Sequence, residues 1–515
     1  MVTNHQEQAP RIGLVFTALV TTMLMSSLGQ MIFATALPTI VGELGGVEQM
    51  SWVITAFLVS MTIAMPIFGK VGDAIGRKWL YIFGIAVFVI GSSVGGFADS
   101  MEGLVIGRAI QGFGGGGMMV TSQAIVAEVI PARQRGKFMG IMGATFGVSS
   151  VLGPVLGGWF TDGPGWRWGM WMNIPLGIAA ITICILVLRL RAGTSDRKPF
   201  DWLGTLLMAV STSSLILLTT WGGNQYAWLS PTILSLIALT AVTAVLFVIV
   251  ELRVEDPLIP MGLFRNLNMT LTTAAGTVLG LAMMGALAYL PTYLQMVHGM
   301  SPSAAGLMMT PMMIGMLGTS TVVGMVITRT GKYKIYPIIG MAIVAVSLLL
   351  MSRLTADSSL VTVGVYLFVF GFGLGLVMQV LVLIVQNSFP ITVVGTATAA
   401  NNFFRQIGSS LGSSLIGALF IGNLTSQLDT NIPQALERMG PEGAPYAEAF
   451  AAGGSGTQSL TPAMVNDLPE VLRHAITVSY NDGLTPVFAL MVPLAILALV
   501  LLFPIREDTL KDTVE

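Results

Sequence analysis

Apolar runs of about 20 residues, the length that crosses a ~30 Å hydrocarbon core, follow one another along almost the whole of this 515-residue chain. Fourteen can be counted, beginning near Val15, Trp52, Trp79, Leu104, Lys137, Trp168, Leu203, Pro231, Thr270, Ala304, Tyr336, Leu360, Gly395 and Leu484. In hydrocarbon every backbone N–H and C=O must find its partner within the protein, so continuous apolar runs of this length read as helices. With 54% hydrophobic residues, 10% charged and a mean hydropathy of +0.81, the chain has too little polar surface to coat a soluble body of its size. An all-α integral membrane protein is therefore expected, with the lipid bilayer as its solvent. The first run, behind Arg11, reads as a retained helix rather than a cleaved signal.

Composition also removes whole classes of function. A net charge of −1 and the lack of a basic cluster interleaved with aromatics argue against nucleic acid as a partner. Cys184 is the single cysteine, so a disulfide framework and a thiolate metal site are excluded. His5, His298 and His474 read as tail or loop residues, which leaves neither a metal nor a nucleophile constellation in the membrane. Gly112-x-Gly114-x-x-Gly117 has the spacing of a dinucleotide fingerprint, but it lies inside an apolar helix and follows no strand. No cofactor is expected.

The chain repeats itself. Gly69-Lys-Val-Gly-Asp73-Ala-Ile-Gly76-Arg77-Lys78 has a worn copy in Gly324-Met-Val-Ile-Thr328-Arg329-Thr-Gly331-Lys332-Tyr-Lys334, at an offset of 324 − 69 = 255. Leu37-Pro38-Thr39 returns as Leu290-Pro291-Thr292, and Gly153-x-x-x-Gly157 as Gly408-x-x-x-Gly412. Six spans need about 190 residues, so the rest of the offset accommodates two more. The expected architecture is a six-helix bundle over residues 1–190, an inserted helix pair with its linkers over 191–265, and a second six-helix bundle over 266–515. The site is expected where the two halves face each other. With the N-terminus placed in the cytoplasm, 18 of the 24 Lys and Arg fall on that side, so both termini are expected there. A segment at about 423–482, rich in acids and containing Gly453-Gly-Ser-Gly456, reads as an external loop: a solvated, partly flexible insertion, with a lid over the outer vestibule as the alternative.

In the first loop the glycines allow tight turning and close helix approach, and Asp73 can pair with Arg77 or cap a helix start. A charged cluster formed in one state and broken in another is a latch. Gly69 to Lys78 resembles the signature loop of the major facilitator superfamily. Arg108-Ala-Ile-Gln111-Gly112-Phe-Gly114 resembles its fourth-helix motif, and Gly143-x-x-x-Gly147 with Gly153-Pro154-Val-Leu-Gly157-Gly158 is similar to the fifth-helix motif of its antiporters. Trp166-Arg167-Trp168 with Asn173 and Pro175, Asp201-Trp-Leu-Gly204, Tyr289-Leu-Pro291-Thr-Tyr293-Leu-Gln295 and Arg405-Gln406-Ile-Gly408 look like marks of its fourteen-span drug:proton antiporters. The resemblance implies a major facilitator fold, alternating access between two rigid halves and export of small amphipathic compounds from a bacterial-type inner membrane. It also implies a coupling role for Arg108. In their own right, the fifth-helix glycines let helices touch, and Pro154 frees a carbonyl and kinks the span.

Ionisable side chains within spans are costly and mark function, and Arg108 and Arg405 stand out. At 1.5 Å per residue they lie roughly 8 and 15 Å deep. A structural role, bonding backbone carbonyls, is the alternative for Arg405. Gln30, Gln111, Gln123, Gln379, Gln386, Asn401 and Asn402 outline a candidate cavity, with some of the 33 Met supplying an adaptable wall. Proton antiport needs a carboxylate that loses and regains its proton. In the family compared, the first helix usually reads Leu-Asp-x-Thr; here it reads Leu28-Gly29-Gln30-Met31, so that acid is missing. Three explanations stay open. Asp73 and Glu128 with Arg77 carry the protons; an outer-mouth acid such as Asp482 is drawn inward; or the protein is uncoupled.

The reading is a monomeric transporter, not an enzyme, exporting a small amphipathic substrate as a multidrug or antibiotic efflux protein driven by the proton gradient. A dedicated exporter of one metabolite or lipid, or an uncoupled facilitator, is the alternative within the fold. A membrane-embedded enzyme or receptor is disfavoured by spans without a His or an acid.

Overall fold

The computed structural model describes residues 8–46, 49–190, 199–223, 225–447 and 462–510. They form a bundle of long helices, with an isolated bridge between Gly222 and Tyr226 as the extended pairing among the described residues. In chain order the helices are α1 (Gln8–Leu44), α2 (Met50–Ile75), α3 (Arg77–Gly96), α4 (Met101–Val129) and α5 (Ala132–Asp162). Next come α6, made of Trp168–Trp171 and Asn173–Val187, then α7 (Trp202–Trp221), α8 (Pro231–Glu251) and α9 (Leu267–His298). α10 is made of Pro302–Leu307 and Thr310–Thr330, and α11 (Ile335–Met351), α12 (Leu360–Ser388), α13 (Val394–Met439) and α14 (Glu470–Leu502) complete the series. Among the described residues, twelve helices are long and apolar enough to cross a membrane. α4 is not one of them, because seven glycines, Arg108 and Gln111 dilute its apolarity; α11 is apolar but only 17 residues long.

Local chemistry sets the helix ends. Ser100, Asp201, Ser230, Asn266 and Ser359 each accept a hydrogen bond from the N–H three residues on, capping α4, α7, α8, α9 and α12. Gly76 separates α2 from α3 at φ +98°, and Gly331 separates α10 from α11 at φ +72°. These positions are 331 − 76 = 255 residues apart, and a side chain is disfavoured at both. The sequence repeat thus recurs as a positive-φ glycine at each helix end, though the paths beyond differ, with ψ 147° at Gly76 and −2° at Gly331.

Packing follows the same repeat. α4 lies against α2 and α3 while α5 lies against α1; α12 lies against α10 and α11 while α13 lies against α9. The broadest contacts joining the sets are α5 on α10 and α2 on α13, with α5 on α12 and α4 on α13 adding smaller ones. α7 and α8 pack on each other, and α7 leans on α2 and α13. α8 leaves Leu234, Ile237, Val242, Val245 and Leu246 exposed, the surface expected of a helix bathed in lipid.

The segment expected as a loop over 423–482 is different. α13 continues without a break to Met439 and α14 already begins at Glu470. Leu424, Leu428, Ile432 and Ala435 form a buried stripe at helical spacing that packs in one core with Leu472, Ile476 and Tyr480 of α14. Asn431 donates to the Ser479 hydroxyl at 2.9 Å. The two helices therefore project together as a docked pair, and Gly453–Gly456 lie outside the described residues. His298 and His474 are likewise helical rather than in loops; His298 ends α9, half-buried against the Tyr293 ring.

Candidate functional site

The first copy of the repeated loop forms a closed charged cluster across the two halves. Arg77 donates to Asp73 at 2.5 Å, to Glu128 at 2.8 Å and to the Ile391 carbonyl at 2.7 Å. Asp73 in turn accepts from the backbone N–H of Gly395 at 3.2 Å, and from the N–H and hydroxyl of Thr396 at 2.6 and 2.8 Å. A carboxylate on α2 thus caps the free N–H groups and positive dipole end of α13. The side chains of Asp73 and Arg77 are 7% and 5% exposed, so the ion pair is shielded from water. Gly69 has no room for a Cβ against Ala399, nor Gly395 against Asp73, which is why α2 and α13 approach so closely. Gly76 supplies the turn that puts Arg77 beside them. Thr396 and Ile391 were not legible as partners, since only the fold brings them 323 and 314 residues along the chain to this loop.

Arg108 lies elsewhere. It is fully buried between α1, α2 and α4, donating to the carbonyls of Val53 at 3.0 Å and Gly29 at 2.7 Å and to Gln111 at 2.6 Å. Its guanidinium sits over the rings of Phe33 and Phe57, 4.5 and 4.2 Å from their centres. Gln111 passes the chain on to Ser92 at 2.8 Å. Gly29, where an acid was expected, offers Arg108 its backbone oxygen instead. The carbonyl-bonding role that the sequence offered for Arg405 belongs to Arg108.

Between the halves lies a cavity of about 60 Å³. α1 supplies Met23, Ser26, Ser27 and Gln30; α2 and α4 supply Met61 and Met119; α5 supplies Met142, Thr145 and Phe146. The other half adds Met283 and Met284 from α9, Met378 and Gln379 from α12, and Arg405, Gln406 and Ser409 from α13. Seven methionines thus line it. Ligand sites for drug-sized molecules are typically about 300–1,000 Å³, so the cavity is smaller than such a site. Of the polar residues expected here, Gln30, Gln379 and Arg405 are present and Gln111 is not. Gln123, Gln386, Asn401 and Asn402 form a neighbouring buried layer. Asn402 donates to the Gln123 side chain at 2.6 Å, Gln386 to the Gln123 carbonyl at 3.1 Å, Arg405 to Asn402 at 2.5 Å and Asn401 to Thr273 at 3.4 Å. That layer ties α4 to α12 and α13. The paired hydroxyls Ser26 and Ser27 were a signal available in the sequence, two small polar residues inside an apolar helix.

The glycines of α5 face partners along its length. Gly143 lies under Gln379 with no room for a Cβ, Gly147 meets Met316 and Met313, and Gly153 lies against Met31. Gly158 stands near Ser303 of α10, and the Gly157 carbonyl accepts from Thr161 at 2.6 Å. α5 therefore packs closely between α1 and the opposite half on small residues. The side chain of Pro154 lies outside the described residues, while α5 runs through its backbone as continuous helix. Asp482 is set within α14 rather than ahead of it, and accepts from Asn481 at 3.0 Å; it does not line the cavity. Two further acids are buried: Asp201, marked in the sequence only as part of the Asp201–Gly204 motif, and Glu251, to which the sequence assigns no role. Asp201 caps α7, and Glu251, 3% exposed, accepts from the N–H groups of Leu258 and Ile259 at 3.2 and 2.9 Å. Glu251 thereby ties down the chain that leaves α8.

Two bundles built to one plan, meeting at a shared cavity and a charged loop, define a membrane carrier. Residues 19–413 match the Major Facilitator Superfamily, and the chain belongs to that family. It is 40% identical over 503 residues to an MFS-type transporter of Mycobacterium tuberculosis, covering 98% of this chain and 70% of that one. It is 34% identical over 465 residues to the multidrug transporter protein MdtP of Bacillus subtilis, covering 90% of this chain and 83% of that one. In fold it is similar to the proton:xylose symporter XylE, with a TM-score of 0.61 at 12% identity and 98% of each chain covered.

Proposed function

We propose that this protein is a multidrug-type efflux carrier that moves small amphipathic compounds by alternating access, driven by proton antiport. The observation that carries the reading is the cavity of Met, Ser and Gln side chains drawn from both halves, with the Asp73–Arg77–Glu128 cluster closing one end of the boundary between those halves. A soft thioether wall suits ligands of varied shape, and multidrug relatives support such a substrate range. In this reading α4 and α11 join the twelve apolar helices to make fourteen spans: a bundle over 1–190, an inserted pair over 191–265 and a second bundle over 266–515. Both termini and the Asp73 loop face the cytoplasm of a bacterial-type inner membrane, and the monomer is the working unit.

The conformer described is then the one closed to the cytoplasm. Protonating Asp73 removes its charge from Arg77 and from the N-terminus of α13, so the latch loosens and the cytoplasmic side opens. Purified protein in liposomes, offered a chemically diverse panel of dyes and drugs with and without an imposed pH gradient, tests this. Wild type is expected to concentrate several of them only with the gradient. If no compound moves under any gradient, the carrier reading is wrong; if movement ignores the gradient, antiport is.

A further inference from the structure

We infer that Arg405 is an anion subsite of the cavity, so that preferred substrates are amphiphiles carrying a carboxylate or phenolate oxygen, and quaternary ammonium compounds are disfavoured. This rests on the reading that the cavity is the transport site.

Among the described residues that line the cavity Arg405 is the only one with a charge, and none is acidic. The residue is 7% exposed. Nη2 donates to Asn402 at 2.5 Å, while Nη1 is buried without a partner. No carboxylate pairs with it among the described residues. Arg108 shows the contrast: its Nη2 is also buried without a partner, but it meets two carbonyls, an amide oxygen and two ring faces and lies outside the cavity, where no ligand can reach it. Arg405 has an unmet N–H and an uncompensated charge at the wall of a space into which a ligand comes. Burying a charge is costly until a partner arrives, and a guanidinium recognises a carboxylate best of all.

The rest of the wall agrees. The hydroxyls of Ser26 and Ser27 and the Gln379 Oε1 are also buried without partners, which gives a bound molecule further polar contacts but no negative charge. A cation needs an acid or an aromatic cage. Phe146 is the only aromatic residue of the lining among the described residues. A cationic amphiphile entering here meets Arg405 as a like charge and gains nothing in return.

The test uses one dansyl fluorophore in three forms, bearing a carboxylate, a primary amide or a trimethylammonium group. Binding is followed by fluorescence on the purified full-length protein and uptake in liposomes. The variants are Arg405→Gln, which can still reach Asn402, and Arg405→Lys, which keeps the charge, each first checked as monodisperse. Wild type should bind the carboxylate roughly tenfold or more tighter than the ammonium form. Arg405→Gln should abolish that preference while leaving the amide within about twofold, and Arg405→Lys should retain part of it. An ammonium form bound as well as the carboxylate, or a carboxylate preference that survives Arg405→Gln, overturns the proposal. Met378→Trp, which fills the cavity, separates the two readings. If it leaves binding of all three forms unchanged, the cavity is not the transport site and both readings fall. If it blocks the amide while wild type shows no carboxylate preference, the anion subsite alone is wrong.

Discussion

The two copies of the repeated loop share a helix-ending glycine and differ in their path beyond it and in their chemistry. In each, a glycine with positive φ, Gly76 or Gly331, ends the preceding helix, and a second glycine, Gly69 or Gly324, brings that helix against the other half. Gly69 meets α13 and Gly324 meets Gly136 of α5. In the first copy the junction is ionic: Asp73 caps α13 and pairs with Arg77, which also holds Glu128. In the second, Asp73 is replaced by Thr328, whose hydroxyl turns back onto Gly324 of its own helix at 2.8 Å. There the cross-contact comes from Arg133 of α5, which donates to the carbonyls of Thr328 and Arg329 at 3.1 and 3.2 Å. Glycines bring the helices together in both copies, with the acid Asp73 at the junction in the first and Thr328 at its counterpart in the second.

That contrast can be broken from either copy. Asp73→Asn keeps an acceptor for α13 but leaves Arg77 short of a shielded partner, a loss of about 3–5 kcal/mol in a buried pair. Gradient-driven uptake in liposomes should fall by roughly tenfold or more. Arg133→Gln removes donors to two carbonyls in the second copy, each worth about 1.5–3 kcal/mol when one partner is charged; uptake should drop several-fold yet keep its dependence on the pH gradient. Thr328→Val deletes a hydroxyl bonded only within its own helix, at about 0.5–1.5 kcal/mol, and uptake should stay within about twofold of wild type. An Asp73→Asn protein that outperforms Thr328→Val would show that the copies do not differ as described.

A still smaller effect belongs to the far end of α1. Hydrogen bonds from Arg167 and from the Trp166 indole hold the Glu43 carboxyl below its usual value of 4.5. A carboxylate whose folded value is depressed stabilises the fold above its unfolded value and loses that contribution as pH falls through the folded one. The Glu43 side chain is 48% exposed, so the ion pair is worth only about 0–1 kcal/mol. Glu43→Gln should therefore melt slightly below wild type at neutral pH, and the difference should vanish once acid has protonated Glu43.

Helix positions and the repeat were legible because they follow from apolar length and from glycine spacing, properties of the chain alone. Gly76 and Gly331 stand out by their shared place in the two loop copies. The projection of α13 and α14 was missed because average apolarity falls after Asn423 while the stripe Leu424, Leu428, Ile432 persists, and only periodicity records it. Among site residues, polar identity located Gln30, Gln379 and Arg405 at the cavity, but could not say which way a helix is turned. Gln111 has the same chemistry as Gln379 and faces Ser92 and Arg108 instead. Backbone partners escape sequence reasoning altogether. The Gly29 carbonyl that accepts from Arg108 and the Thr396 N–H that donates to Asp73 carry no signature in residue type.

The central claim is that the charge on Asp73 holds the two halves shut at its end of the bundle. The direct measurement is the distribution of distances between spin labels at Ile75 and Thr392, both exposed beside the latch, in a Cys184→Ala background in lipid. A narrow short distance is predicted for the Asp73 protein at high pH, with a longer population growing as pH falls, and that longer population dominant in Asp73→Asn at every pH. A distribution unmoved by either pH or substitution would contradict the account.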